Sequence, residues 1–209
     1  MGSRQYFDHI AANWNAMRSE YFKDEVRDRI LQVLDIENKI VGDLGCGTGF
    51  ISFGLAAKKP HIVFSLDQSS NMLRELKRES INRGLENIYP IRSELDELAL
   101  FDESLDAIAI NMALHHVVEA AKSVAEMYRV LKRGGRVVIS DVYEHQGQWA
   151  KTEMHDEWLG FSTAQIVLWL EQAGFKNIGI GDTGLKAKGY SSTGEYTETG
   201  IFIAVADKL

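Results

Sequence analysis

The feature that most limits the possible fold is a repeated alternation between short apolar runs rich in β-branched residues and amphipathic stretches of helical period. Strands that alternate with helices of about ten to fifteen residues are typical of a mostly parallel sheet with helices on both faces. The alternation begins after Asn38 and continues almost to the end of the chain. The runs that predict strands are 39–44, 62–66, 88–91, 105–110, 136–140, 176–180 and 201–206.

The intervening stretches carry helix signals. Ser162 and Gln165 form a capping box that predicts the start of the last helix, and Gly174 is placed to end it. The pair Gly134-Gly135 is placed to end the helix before the fifth strand. The helices predicted in this part of the chain are 50–58, 70–83, 119–132 and 163–173.

The domain organisation follows from length and continuity. A chain of 209 residues without internal repeats or linker-like tracts is long enough for one full core, so we expect a single domain over 1–209. Residues 1–37 contain one or two aromatic-rich helices and precede the α/β core of 38–209. The segment 182–199 is dense in Gly, Ser and Thr, which predicts a loop.

Composition narrows the class of partner. Lys and Arg number 23 against 30 Asp and Glu, and the resulting net charge of −7 disfavours nucleic acid, which requires a basic surface. No apolar run approaches the roughly 20 residues of a membrane span. Cys46 is the single cysteine, so no disulfide framework and no cysteine-based zinc site is expected. We predict a cytoplasmic protein with a small-molecule partner.

The strongest local motif is the glycine-dense turn after the first strand, Val41-Gly42-Asp43-Leu44-Gly45-Cys46-Gly47-Thr48-Gly49. Nucleotide-type ligands bind at this place in doubly wound sheets, because glycines let the backbone approach the ligand closely. An acid at Asp43 would repel a pyrophosphate but suits an ammonium group. A different nucleotide binder with the same kind of turn is the alternative, since glycine motifs produce false matches.

A second acid lies at the end of the second strand. Asp67 follows the run Ile62-Val63-Phe64-Ser65-Leu66, where a carboxylate can accept hydrogen bonds from both hydroxyls of a ribose. The alternative is an ordinary helix cap for the segment that begins at Gln68. Taken together with Asp43, the ribose interpretation is favoured.

With these motifs the chain resembles the class I methyltransferases that depend on S-adenosylmethionine (SAM), and in particular the type 11 branch similar to enzymes of ubiquinone and menaquinone biosynthesis. The resemblance covers nearly the whole chain and is specific for the superfamily but not for a substrate. The stretches that carry it are 43–49, 66–73, 93–98, 101–117 and 129–135.

The resemblance implies a Rossmann-like, doubly wound sheet of seven strands with an antiparallel last strand placed between the fifth and sixth. It implies transfer of a methyl group from SAM to a small molecule that the sequence does not identify. Ser93, Ala99 and Arg133 depart from the residues usual in the family, which affects turns and none of the implied contacts. The residues implied to bind the cofactor are Asp43, Gly45, Cys46, Gly47, Asp67, Gln68, Met72, Glu94, Leu95 and Asn111.

His115 and His116 are the candidate catalytic residues, because they follow the fourth strand where the methyl acceptor lies in relatives. Methyl transfer is an in-line displacement that depends on alignment, and a base is needed only if the acceptor must lose a proton. Histidine suits that task near neutral pH. The equally weighted alternative is that one histidine packs and the other caps or faces solvent.

A polar and aromatic cluster after the fifth strand marks the expected acceptor pocket; it comprises Asp141, Tyr143, His145, His155 and Trp158. His145, Glu153, His155 and Asp156 could supply metal ligands, but they lack the spacing of a helical zinc motif. No metal site is therefore predicted.

Aromatic residues near the N-terminus, Tyr6, Phe7 and Trp14, suit a lid over a sulfonium, since aromatic faces attract cations. Packing in the core is the equal alternative. Two other functions stay open: a protein that binds SAM without turnover, and an NAD-dependent oxidoreductase, which the position of Asp43 disfavours.

Overall fold

A computed structural model describes residues 2–209. Its strands form one sheet in the order β3-β2-β1-β4-β5-β7-β6, in which β7 runs antiparallel to both of its neighbours. The predicted fold class is confirmed, including the position of the last strand. The strands are β1 (Ile40–Leu44), β2 (Ile62–Asp67), β3 (Ile88–Arg92), β4 (Leu105–Asn111), β5 (Leu131–Val142), β6 (Lys176–Tyr190) and β7 (Tyr196–Asp207).

Helices cover both faces of this sheet, and each face has its own apolar core. Buried side chains of α3, α4 and α5 pack on one face, and those of α6 and α8 pack on the other. The helices are α1 (Ser3–Ile10), α2 (Trp14–Tyr21), α3 (Glu25–Gln32), α4 (Phe50–Ala57), α5 (Ser70–Asn82), α6 (Ala120–Val130), α7 (Trp149–Glu153) and α8 (Thr163–Ala173).

Capping residues set the helix ends much as the sequence indicated. The Ser162 hydroxyl accepts a hydrogen bond from the Gln165 backbone N–H at 3.2 Å, and Gly174 ends α8 with a left-handed φ of 106°. Ser69 caps α5 in the same way through the Met72 N–H. The helix before β5 ends at Val130, two residues earlier than predicted, because Leu131 already pairs with Leu105 of β4.

The prediction of a loop over 182–199 is wrong. β6 and β7 continue past the sheet as an antiparallel hairpin whose register runs from Lys186 opposite Gly200 to Tyr190 opposite Tyr196. The small residues that suggested a loop are needed on the inner side of the hairpin. A Cβ added to Gly189 would lie 2.8 Å from the Trp149 ring. Close packing on Trp149 therefore explains the glycine at position 189.

The N-terminal helices divide between two roles. Val26 and Ile30 of α3 are fully buried in the core beside α4, whereas α1 and α2 lie over the carboxyl end of the sheet. In the part of the chain that the structure describes, no helix combines the length and the apolar character needed to cross a bilayer.

Candidate functional site

A cavity of about 530 Å³ lies at the carboxyl ends of β1, β2 and β4, between the sheet and the N-terminal helices. We call it the first cavity. All of the residues that the resemblance implied for the cofactor line it, so the structure brings the whole set together. These residues are Asp43, Gly45, Cys46, Gly47, Asp67, Gln68, Met72, Glu94, Leu95 and Asn111.

The glycine turn approaches the cavity because its backbone is left-handed. Gly45 has φ 66°, and a Cβ at this position would lie 2.4 Å from the Ala113 side chain. Gly47, with φ 51°, lies under Trp14 of α2. A side chain at Gly45 would therefore both strain the backbone and force the turn away from the segment after β4.

Asp43 lies at the floor of the cavity and is almost fully buried. Its carboxylate accepts a 2.5 Å hydrogen bond from the Ser52 hydroxyl, which in turn lies 2.7 Å from the Ser65 hydroxyl. Burial raises the pKa of Asp43 to about 7, although the bonds from Ser52 oppose the shift. A cationic ligand group nearby would return this carboxyl to its charged form.

Asp67 joins the glycine turn to the start of α5. One carboxylate oxygen accepts the Gly47 N–H and the other accepts the Ser69 N–H, each at 2.8 Å. The helix cap itself is Ser69, so Asp67 is not the N-cap that the alternative interpretation assigned. Burial raises its pKa to about 6. A carboxylate has about four acceptor sites, so two remain for a ligand.

The loop after β3 places Glu94 and Leu95 at the rim of the first cavity. Ser93, one of the departures from the family pattern, fastens this loop. Its hydroxyl donates to the Glu94 carbonyl at 3.0 Å and accepts the Ala99 N–H at 2.9 Å. The serine therefore holds this loop through two hydrogen bonds.

The end of β4 contributes an unused acceptor. Asn111 is buried, lines the first cavity, and its side-chain oxygen has no hydrogen-bond partner among residues 2–209. Met112 follows with a φ of 51°, a strained value for a residue with a side chain. Buried polar atoms without partners are rare, and strained residues cluster at ligand sites. Both observations indicate a ligand at this position.

A second, smaller cavity of about 100 Å³ adjoins the first. The two share Trp14, Phe22, Met112 and His116 in their walls. The rest of the second cavity is mostly aromatic and aliphatic, with polar groups from the histidines and from the inner side of the hairpin. Its further lining includes Tyr21, His115, His145, Trp149, Met154, Asp156, Ala187, Thr197 and Thr199.

His115 lines only the second cavity and lies between two carboxylates. Its Nδ1 is 2.6 Å from Asp141 Oδ1, and its Nε2 is 3.8 Å from Asp156 Oδ1. Burial by itself would lower the pKa of His115, but the charges of Asp141 and Asp156 outweigh it and raise the pKa to about 9. His115 is therefore a cation at neutral pH and a poor proton acceptor.

His116 borders both cavities and has the opposite character. Burial lowers its pKa well below the ordinary value, and the positive charge of His115 lowers it further. Its Nδ1 lies 3.3 Å from Asp156 Oδ1, and the Phe7 ring packs edge-on against its imidazole at 4.9 Å. At neutral pH this side chain is uncharged and can accept a proton.

The same side chains could approach a cation. Ligand atoms of His115, His116 and Asp156 all lie within 4.8 Å of one another. The positive charge of His115 already lies beside Asp156. Burial raises the pKa of Asp156 to about 6, and the charge of His115 opposes this rise. The expectation of no metal stays a prediction.

The aromatic residues of the N-terminus separate into two groups. Phe7 and Trp14 line the first cavity, whereas Tyr6 packs on His155 at 5.0 Å and donates to the Met154 sulfur at 3.5 Å. Asp8 holds α1 in place by accepting the Ser69 hydroxyl at 2.6 Å. Helix α1 is thus anchored to the start of α5.

The predicted cluster after β5 is only partly assembled. His145 lines the second cavity, but Tyr143 and Trp158 lie in the core, against Phe202 and Phe161. Trp149 and the hairpin threonines are wall residues that sequence reasoning missed. The alternation of small and charged residues over 185–190 and 196–199 was the available signal for this hairpin.

Cys46 is buried beside the glycine turn, and burial together with Asp67 and Asp43 raises its pKa well above the ordinary value. A thiol that stays protonated is a poor nucleophile. Its position agrees with a packing role.

Comparison with known proteins agrees with this geometry. Residues 42–139 match a family model described as a methyltransferase domain. The demethylmenaquinone methyltransferase of Clavibacter sepedonicus is 36% identical over 52% of this chain and 43% of its own length. The chain spans about half the length of the curated relatives it matches.

Solved structures share the architecture. A SAM-dependent methyltransferase from Aquifex aeolicus superposes with a TM-score of 0.67 at 22% identity, covering 92% of this chain and 93% of the other. A [4+2]-cyclase superposes with a TM-score of 0.79 at 17% identity, covering 100% and 97%. The residues that line the first cavity from β1 to β4 fall within residues 42–139, the segment that matches the methyltransferase-domain model.

Proposed function

We propose that this chain is a SAM-dependent methyltransferase that acts on a small molecule. The observation that carries the proposal is the convergence of ten residues from four separate strand ends on one cavity of about 530 Å³. Two of them are acids at the ends of β1 and β2, the buried Asp43 and the partly buried Asp67. This is the arrangement that holds a nucleoside with a cationic tail in a doubly wound sheet.

The residues present fit the cofactor. Asp67 has free acceptor sites for the ribose hydroxyls, and Glu94 with the Leu95 backbone lies where the adenine would bind. The Asn111 oxygen, which has no partner in the described chain, would accept a hydrogen bond from the methionine ammonium, with Asp43 supplying negative charge. When bound, SAM supplies an electrophilic methyl group on a sulfonium.

The second cavity would hold the reacting end of the acceptor. At about 100 Å³ it is smaller than the ~150 Å³ cavity that accommodates benzene, so it admits only the reacting edge of an apolar group such as an aromatic ring and leaves the rest of the acceptor outside. His116 lies at the junction of the two cavities and is neutral at neutral pH. It would accept the proton of an acceptor O–H or C–H as the methyl group is transferred.

His115 would act on His116 through charge. Asp141 orients the His115 imidazolium, whose positive charge adds to the effect of burial in lowering the pKa of His116. Asp156 lies beside both rings and could share the proton that His116 receives. The relatives named for demethylmenaquinone methylation make hydroxylated aromatic rings the first acceptors to try.

The proposal is tested by binding and by turnover. Calorimetry with SAM and with S-adenosylhomocysteine (SAH) should show binding, and both should raise the melting temperature because they bind the native state. NAD serves as the control ligand. Transfer of radiolabel from methyl-labelled SAM to a panel of phenols, hydroquinones and carboxylic acids would then identify the acceptor. Absence of binding by both SAM and SAH would overturn the proposal.

A second candidate function is ligand binding or catalysis without methyl transfer. It is favoured by the [4+2]-cyclase, which covers the whole of this chain and shows that the fold is not restricted to methylation. Tight SAH binding with no labelled product across the panel would decide for this candidate.

A further inference from the structure

The N-terminal helix α2 carries a buried guanidinium that the fold does not satisfy. Arg18 is 8% exposed, and its Nη2 donates to Asp24 at 3.0 Å. Its Nε and Nη1 have no hydrogen-bond partner in residues 2–209. The guanidinium stacks on Phe50 at 3.9 Å and lies 5.3 Å from Phe22. Unpaired donors on a buried charge are costly, so an acceptor from outside the chain is indicated.

Arg18 lies at a defined end of the first cavity. It lines that cavity together with Phe50 and Ile51, the first residues of α4 after the glycine turn, and it does not line the second cavity. The segment that would meet the adenine, at Glu94, follows a different strand. Arg18 is therefore near the amino-acid end of the bound cofactor and not at the acceptor.

Charge points to an anionic ligand group here. Acids line the first cavity at Asp43, Asp67, Glu94 and Asp96, and a carboxylate could not enter among them without a cation. Among the described residues the guanidinium groups of this cavity belong to Arg18 and to Arg4 of α1. Arg18 is the buried one of the two.

We infer that Arg18 binds the carboxylate of the methionine portion of SAM and SAH, an inference that rests on the proposed function. The unpaired donors of Arg18 and the unpaired oxygen of Asn111 are complementary to the two charges of an amino-acid group. Charge-assisted hydrogen bonds of this kind are among the strongest in proteins. The residue therefore selects ligands that carry the amino-acid tail.

The experiment compares two ligands on matched variants. SAH has the tail, whereas 5′-methylthioadenosine keeps the adenosine and the thioether and lacks the carboxylate. Calorimetry should show that Arg18→Met weakens SAH by about 10–150-fold, the range for a hydrogen bond to a charged group. Binding of 5′-methylthioadenosine should change less than about twofold, since the lost interaction involves only the tail.

Controls separate this role from a structural one. Asp24 binds the same guanidinium but does not line the first cavity. Asp24→Asn should therefore leave SAH affinity within about threefold of the wild-type value. If Arg18→Met melts below the temperature of the assay, Arg18→Gln is the replacement variant, since it keeps a polar side chain at this position. It should lose the same preference for SAH over 5′-methylthioadenosine.

The outcomes that overturn the inference are distinct from failure of the proposed function. An equal loss for both ligands would make Arg18 a structural residue, and unchanged SAH affinity would remove its role while leaving SAM binding intact. A higher acceptor KM with normal SAH affinity would assign Arg18 to the acceptor. Wild-type protein that binds neither ligand would overturn the proposed function together with the inference.

Discussion

The two cavities are built in different ways. The proposed cofactor residues of the first lie at the ends of single strands or just after them, such as Asp43 in β1 and Asp67 in β2, and short hydrogen bonds from the nearby backbone or hydroxyls hold these two carboxylates. The second is assembled from α2, the segment after β4, α7 and the distant hairpin. Under the proposed function, local motifs would therefore recognise the cofactor, whereas long-range packing would form the acceptor site.

The charges in the two cavities differ as well. Buried acids in the first cavity have raised pKa values, and a cationic ligand would stabilise their charged forms. In the second cavity an internal cation, His115, already compensates the acids. The first cavity therefore depends on its ligand for charge balance. The second contains the positive charge of His115, which contributes to the lowered pKa of His116.

The largest effect is expected at the junction of the cavities. His116→Ala should lower kcat by about 10²–10⁴, the usual contribution of a general base, with SAM affinity nearly unchanged. Because the pKa of His116 is lowered, the wild-type rate should fall only at pH values well below 6.5. Steady-state kinetics with the acceptor found by radiolabel transfer measure both the loss of kcat and the pH dependence of the rate.

His115→Gln is the matched comparison, since it removes the cation and keeps His116. Its rate should decrease less, and its acid limb should move to higher pH, because burial still lowers the pKa of His116 but the charge of His115 no longer lowers it further. A wild-type rate in His116→Ala would show that His116 is not a general base. Catalysis would then depend on alignment alone.

Asp141→Asn tests the internal ion pair. Removing one partner of a buried pair costs about 3–5 kcal/mol of unfolding free energy. The pKa of His115 is raised in the folded state, so the pair stabilises fully below pH 6.5, and this contribution is lost as pH rises through about 9. Urea titrations at pH 6 and pH 10 should show a difference between wild type and variant that is larger at pH 6. An equal difference at both values would refute the ion pair.

Asp67→Ala should affect the first cavity alone. Loss of hydrogen bonds to the ribose should weaken SAM by about 1.5–3 kcal/mol in calorimetry, with the acceptor KM little changed. Part of the loss comes from the Gly47 turn, which Asp67 also holds. Asp8→Asn, which loosens α1 without touching the proposed ribose contacts, is the control, and unchanged affinity in Asp67→Ala would end the ribose role.

The smallest effect is expected at the tip of the hairpin. Glu153 of α7 accepts hydrogen bonds from the Ser192 N–H at 2.8 Å and from its hydroxyl at 2.9 Å. Glu153→Gln weakens this exposed closure and should raise the acceptor KM severalfold, because an exposed charged contact is worth about 0.2–1 kcal/mol. SAM affinity should stay constant. A parallel fall in SAM affinity would show that the two cavities are coupled through α7.

Local sequence was sufficient for the first cavity. Each of its cofactor residues follows a strand or begins a helix, and strand order in a parallel sheet brings such positions to one edge. The glycine turn and Asp67 are therefore predictable as neighbours from the sequence, whereas only the resemblance to the methyltransferases implies Asn111. Helix ends were predicted for the same reason, since Ser162 and Gly174 act within one turn of their own position.

Tertiary structure alone decided the second cavity and the protonation of the histidines. His115 and His116 are adjacent in sequence, and burial lowers the pKa of both. Only at His115 do the charges of Asp141 and Asp156 outweigh burial, so that the pKa of His115 is raised and that of His116 is lowered. The segment 182–199 became a hairpin because Trp149 packs across its small residues. Arg18 showed no local signal for a ligand, since the burial that leaves its donors unpaired arises only when α2 closes over Phe50. Burial, charge and distance between segments far apart in the chain are properties of the folded molecule, and local sequence does not encode them.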